Sequence, residues 1–261
     1  MDVSVTNAQV TLVQLDNYGP WTVTPEPRRE ADLQTMQSRL YADLSQFFGT
    51  RDGYVFFTRF DNMIAVTNGI DRAAHARLQE SLRNRYPVTV SLGIGAGANP
   101  ADALVDATAH LQAAGSAQDA ERREVLAGDP LDDDERTDDD VHIAHFDVND
   151  ATGKYTDELD AFSTFVRIEQ GYASLMRALH DDHDGLAFFV GGDNVIALVP
   201  ELARETYEAV IERVREEADM SLKVGVGAGR TATDAGMAAK HALEVCREDA
   251  TTVEGDVAIR N

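Results

Sequence analysis

The stretch LAFFVGGDNVIALV, residues 186–199, decides the fold. It opens and closes as apolar strand, yet its middle holds Gly191, Gly192, Asp193 and Asn194. Glycine weakens a strand interior, and two in succession mark a tight hairpin or the close approach of a ligand to the backbone. The same FFxxxDN core stands in YVFFTRFDNMIAVT, residues 54–67. Asp61 and Asn62 precede Asp193 and Asn194 by 132 residues, with Arg59 and Phe60 where the later copy has its glycines.

Working outward, the offset persists. TVSLGIGAG (89–97) matches SLKVGVGAG (221–229), again 132 apart, and VTLVQLDN (10–17) resembles VHIAHFDVND (141–150), with Asp16 and Asp147 131 apart. Helical stretches follow in register, from Ala31 and from Glu158, with further ones after the hairpin and after the glycine-rich strand. Such a period reads as a duplicated domain. The halves span residues 1–126 and 141–261, joined by AGDPLDDDERTDDD (127–140), whose seven aspartates and lack of periodicity read as a solvated linker.

Within each half the order is strand, helix, hairpin, helix, strand, helix. That order predicts an α+β fold: two tandem ferredoxin-like domains, their sheets containing antiparallel pairs with helices on one face. In this arrangement the end of the first strand lies beside the hairpin turn. Asp16 is therefore expected near Asp61, and Asp147 near Asp193. Two converging carboxylates suit Mg²⁺, which takes one or two carboxylates together with phosphate oxygens and water. These four aspartates are the candidate metal ligands, and the catalytic acid or base is sought among their neighbours.

Other residues have two readings each. Gly191 and Gly192 admit a ligand to the turn or merely shape a hairpin. Arg59 reaches a phosphate and Phe60 stacks on a base, or both pack on the surface. Asn62 and Asn194 read base edges or cap the turn, the structural role being favoured. Asn17 and Tyr18 directly follow Asp16 and are placed beneath the phosphates. Arg28 and Arg29, after the proline-punctuated GPWTVTPEP, clamp phosphate or pair with Glu30 at a helix start. The GxGAG runs lack dinucleotide-binding spacing and are assigned to strand–helix packing. Lys240 is read as an exposed helix lysine, and the seven histidines make no ligand pattern.

Composition narrows the classes. The chain has 261 residues and a net charge of −23, with 23 basic residues of which only Lys154, Lys223 and Lys240 are lysines. An acid-rich, lysine-poor surface suits a cytosol of very high salt, where self-repulsion is screened, and argues against nucleic acid as a partner. No apolar run approaches the ~20 residues of a membrane span, and no secretory leader is visible, so a cytoplasmic location is expected. One cysteine, Cys246, excludes both a disulfide within the chain and a thiolate-rich zinc site.

The pairing of FDVND with GGDN resembles nucleotidyl-cyclase and GGDEF domains, which are similar to polymerase palms. More specifically, nearly the whole chain resembles the archaeal GTP cyclohydrolase III family. The stretches QLDNYGPWTVTPEPRREADLQTMQSRLY (14–41), FFTRFDNMIAVTNGID (56–71), SLRNRYP (81–87), GSAQDAERREVL (115–126), AHFDVNDATGKYTD (144–157) and FFVGGDNVIA (188–197) carry it. The resemblance implies a Mg²⁺-dependent hydrolase, with two or more ions, assisted by a monovalent cation such as K⁺. Such an enzyme converts GTP to 2-amino-5-formylamino-6-ribosylamino-pyrimidin-4-one 5'-monophosphate and two phosphates, early in flavin and deazaflavin synthesis. It also implies a homo-oligomer, dimer or tetramer. The alternatives are a nucleotidyl or diguanylate cyclase, against which RFDN and GGDN lack a second acidic residue, and a GTP-binding sensor without catalysis.

Overall fold

The computed structural model describes residues 8–132, 136 and 141–258. Positions 133–135 and 137–140 of the expected linker lie outside the described residues. The described residues group into two compact units, 8–98 with 102–136 and 141–258 with 99–101.

The first unit runs β1 (Ala8–Leu15), α1 (Tyr18–Val23), α2 (Glu30–Gly49), β2 (Tyr54–Phe57), β3 (Asn62–Val66), α3 (Arg72–Arg83), β4 (Val90–Gly97), α4 (Pro100–Ala113) and β5 (Leu126–Ala127). The second runs β6 (Val141–Val148), α5 (Ala161–His183), β7 (Leu186–Gly191), β8 (Asn194–Val199), α6 (Arg204–Ala218), β9 (Leu222–Gly229), α7 (Ala232–Asp249) and β10 (Val253–Gly255), with a single π-helical turn at Thr152–Thr156. The sheet orders are β2-β3-β1-β4-β5 and β7-β8-β6-β9-β10. In each, the central strand pairs antiparallel with both neighbours. The tandem ferredoxin-like reading is correct. The short parallel strands β5 and β10 were not expected; with three residues or fewer they carry no strand-length pattern.

Local chemistry explains the elements. In α2, Met36, Leu40, Leu44 and Phe48 recur every four residues and are buried as one stripe, while Glu30 and Asp32 complement the positive end of the helix. Asp71 caps α3 through the Ala74 amide at 2.6 Å, and Asp160 caps α5 through the amides of Phe162 and Ser163. Val13, Leu15, Val90 and Leu92 pack under α2 and α3. Their counterparts Phe146, Val148, Leu222 and Val224 pack under α5 and α6.

One expectation needs correction. Helices occupy both faces of each sheet, because α4 and α7 lie on the face opposite the other two. The glycine runs are the cause. A side chain at Gly95 would collide with the backbone of Ala103 and Ala107, and one at Gly227 with that of Ala235 and Ala239. A smooth glycine stripe thus lets a helix seat directly on the strand, as the strand–helix packing assignment required.

Candidate active site

The sheet registers set the geometry of the candidate site. In the first unit Gln14 stands opposite both Asn62 and Ser91. In the second unit Asp147 stands opposite both Asn194 and Lys223. Asn62 and Asn194 are 132 apart, as are Ser91 and Lys223. The spatial counterpart of Asp147 is therefore Gln14, 133 residues earlier, and not Asp16. Asp16 lies two residues farther along and corresponds to Asn149. The backbone agrees: the Asp16 amide donates to Thr89 O at 3.0 Å and the Asn149 amide to Ser221 O at 2.8 Å. Matching the two halves by their strand aspartates is off by two residues.

Asp16 is sunk at the end of β1, its side chain 1% exposed. Oδ2 accepts from Thr89 Oγ1 and the Glu124 amide, each at 2.8 Å, and Oδ1 accepts from Ser91 Oγ at 2.6 Å. Arg122, equally buried, lies 3.6 Å from Oδ1 and donates to Gln14 Oε1 at 2.9 Å. Gln14 in turn donates to Asn62 Oδ1 at 3.0 Å. Asn62 is thus held within the sheet.

Asp61 sits in the β2–β3 turn, its carbonyl accepting from the Leu15 amide at 2.9 Å. Asp61 Oδ1 and Asn17 Oδ1 are both buried and accept no hydrogen bond. Buried acceptors are nearly always satisfied, so two of them at one sheet end are the feature that most needs a ligand. Asp61 Oδ2 meets Arg59 at 3.3 Å, the arginine being largely in solvent. Phe60 takes φ 62°, a region disfavoured for an aromatic residue, and stacks on Phe57 at 4.6 Å between centroids. The Tyr18 phenol accepts from Gln37 Nε2 at 2.7 Å. Burial, with the charges of Glu30 and Asp61, raises its pKa and keeps it protonated.

The arginines of the proline-rich loop face elsewhere. Arg28 lies 3.9 Å over the Trp21 ring and donates to Trp21 O, while exposed Arg29 forms a two-bond pair with Asp32 rather than Glu30. Both line an open cleft of about 570 Å³ with Trp21, Leu33 and Met36. The cleft shares Asp32, Met36 and Pro87 with a second of about 500 Å³ that reaches Arg39, Asp43 and Tyr86.

In the second unit Asp147 is flanked by cations. Lys223 Nζ lies 3.0 Å from Oδ2, and Arg247 Nη2 lies 3.1 Å from Oδ1. Asp193 stands in the β7–β8 turn, where Gly191 (φ 116°) and Gly192 (φ 64°) supply left-handed backbone and a side chain at Gly191 would meet nothing. Burial and the charge of Asp147 raise the Asp193 carboxyl pKa. Asn194 donates to Asp193 Oδ1 at 3.2 Å, and its own Oδ1 meets His145 Nε2 at 3.0 Å. Burial, above all, lowers the His145 pKa. Lys240 is exposed, as expected.

Gln14, Arg122, Asn149, Lys223 and Arg247 escaped the sequence reading. Arg122 lies within GSAQDAERREVL, which the family resemblance had already marked, but nothing in that stretch says that it folds back onto β1. Among the described residues no group of three or more metal-type side chains converges, and no helix is long and apolar enough to cross a membrane.

Known proteins match along nearly the whole chain. The model of the family described as GTP cyclohydrolase III matches residues 10–261. GTP cyclohydrolase III 1 of Halobacterium salinarum is 72% identical over 250 residues, 96% of this chain and 98% of that protein. The Natronomonas pharaonis GTP cyclohydrolase III is 67% identical, covering 96% and 99%, and that of Methanocaldococcus jannaschii 48% identical, covering 92% and 88%. Among solved structures, a diguanylate cyclase of Pseudomonas aeruginosa matches 43% of this chain and 48% of its own at 19% identity, with a TM-score of 0.36.

Proposed function

The chain belongs to the GTP cyclohydrolase III family, and on that premise we propose that it opens the imidazole ring of GTP while keeping the formyl carbon. One water adds at the carbon between the two imidazole nitrogens and the bond to the ribosyl-bearing nitrogen breaks, leaving a formylamino group. Two further waters cleave the phosphoanhydride bonds, so that the products are the formylaminopyrimidine ribonucleotide monophosphate and two phosphates. The observation that carries this reading is the family match over residues 10–261, together with 72% identity over 250 residues to a protein bearing that name.

The first unit fits a divalent cation through Asp61 Oδ1 and Asn17 Oδ1, buried oxygens with no donor. In the second unit Asp147, at the end of β6, and Asp193, in the β7–β8 turn, stand at the corresponding sheet end, and a divalent cation there would take the place of Lys223 and Arg247 beside Asp147. Bound Mg²⁺ supplies Lewis-acid polarisation of phosphate oxygens and of attacking water. Asp16, fixed by Thr89, Ser91, Glu124 and Arg122, holds the end of β1 rigid beneath Asp61. The protonated Tyr18 phenol and the exposed Arg59 guanidinium offer hydrogen bonds to phosphate oxygens. The Trp21–Arg28 cleft gives the nucleotide an apolar wall. We also assign K⁺ as an activator, a homo-oligomeric assembly and a cytoplasmic location. The acidic composition and the haloarchaeal hosts of the relatives support a high-salt cytosol.

The test is incubation with GTP and Mg²⁺ in concentrated KCl, following absorbance, phosphate and formate together. Loss of the guanine spectrum with two phosphates per nucleotide and no formate is expected. Pyrophosphate with an intact guanine spectrum would instead indicate a cyclase.

A further inference from the structure

We infer that His145 is a positioning residue for Asp193: its imidazole fixes the side-chain amide of Asn194, and that amide in turn orients the Asp193 carboxylate. The inference rests on the proposed Mg²⁺-dependent reading, in which Asp193 is offered as an ion ligand, and it adds a residue that acts only through its neighbour.

The donor and acceptor roles along this relay are forced. An ionised carboxylate only accepts, so the Asn194 atom 3.2 Å from Asp193 Oδ1 is the amide nitrogen. The carbonyl oxygen of the same amide then faces His145 Nε2 at 3.0 Å, and because that oxygen has no hydrogen to give, the imidazole carries its proton on Nε2. Removing the imidazole strands a half-buried carbonyl oxygen and frees the amide to rotate. A rotated amide would set oxygen against oxygen at Asp193. Hydrogen-bonded partners of an ion-binding carboxylate hold its orientation, and losing one typically costs about 10–100-fold in metal affinity or activity.

The duplicated fold shows why the donor is a histidine at this place. In the first unit Asn62 Oδ1 accepts from Gln14 Nε2 at 3.0 Å, directly across the β1–β3 pair. The residue directly across from Asn194 is Asp147, a carboxylate with no hydrogen to offer. The donor has moved two residues back along the same face of β6, to His145, which reaches Asn194 diagonally. His145 lies opposite Ile196 and Gly225, as Leu12 lies opposite Ile64 and Gly93, so the first unit has leucine at this position. The second link differs too, because Asp61 Oδ1 is buried and accepts from no amide. Among the described residues, the relay from central strand to turn carboxylate exists in the second unit alone.

The experiment is a Mn²⁺ titration of the full chain in several-molar KCl, which suppresses loose binding to the acidic surface, with free Mn²⁺ read by electron paramagnetic resonance. Asp193→Asn first marks the bound ion that depends on Asp193. His145→Leu, which installs the first unit's residue, is expected to weaken that ion about 10–100-fold. His145→Gln, whose amide offers a donor in place of Nε2, is expected to restore it. Because His145 acts through Asn194, His145→Leu should weaken nothing further once Asn194→Ala is in place. Unchanged affinity in a folded His145→Leu protein, additive losses in the double variant, or ions indifferent to Asp193→Asn would overturn the inference. Should His145→Leu fail to fold, the other two variants decide: binding kept in His145→Gln and lost in Asn194→Ala is expected, and loss in both or in neither overturns it. If the unmodified chain binds no Mn²⁺, the Mg²⁺ reading fails by itself. The relay is then read by NMR from the slowly exchanging imidazole proton of His145, assigned by its absence from His145→Gln. Its disappearance in Asn194→Ala supports the relay, and its persistence overturns it.

Discussion

The two sheet ends share a backbone and differ in what their side chains leave unfinished. At the first, a buried Asp16–Arg122–Gln14 network leaves only Arg122 Nε without an acceptor, and next to it Asp61 and Asn17 keep oxygens without donors. At the second, Asp147 is enclosed by Lys223 and Arg247, and the open element is a glycine turn with space around it. Duplication preserved the strand pairing and redistributed the charge. Symmetry of fold is therefore a poor guide to symmetry of chemistry in this chain.

The largest expected difference is catalytic. Asp61→Asn and Asp193→Asn each remove the turn carboxylate of one unit, and GTP turnover should fall by about 10²–10³-fold in the unit that holds the catalytic ion. Steady-state rates of the two variants, measured side by side, check this; equal losses would erase the asymmetry.

Next comes stability. Arg122→Ala strands a buried carboxylate, since Arg122 and Asp16 are 4% and 1% exposed at their side chains, and should cost about 3–5 kcal/mol. Arg247→Ala removes the corresponding guanidinium from a position 40% exposed, with Lys223 still in place, and should cost about 1 kcal/mol or less. Denaturant unfolding at fixed KCl sharpens the comparison, and a reversed order would break it.

The smallest effects concern the turns. Gly192→Ala forces a side chain into φ 64° and should cost about 1 kcal/mol, although the space is open. Phe60→Gly relieves similar strain at φ 62° but loses the stack on Phe57, so stability should move by no more than about 1 kcal/mol either way. A fall in turnover without a fall in melting temperature would then mark Phe60 as a substrate contact.

Much of this was legible in the residues. The repeated FFxxxDN core and the two GxGAG strands fixed the duplication and the order of elements, because hydrophobic period and glycine placement are local properties. The face taken by α4 and α7 was misjudged, since a glycine stripe says that something packs closely without saying on which side. The two-residue slip between Asp16 and Asp147 was hidden for a different reason. Both aspartates end a strand, and only cross-strand register, a tertiary property, reveals that Gln14 is the true counterpart. Arg28 and Arg29 illustrate the limit of residue type as evidence: arginines beside a phosphate-like motif turn out to be held by Trp21 and Asp32.

The most direct test is anomalous diffraction from crystals grown with Mn²⁺ and a non-hydrolysable GTP analogue. The account predicts manganese at a turn aspartate, Asp61 or Asp193, with the phosphates of the analogue beside it. Bound analogue with no manganese at either aspartate would contradict it.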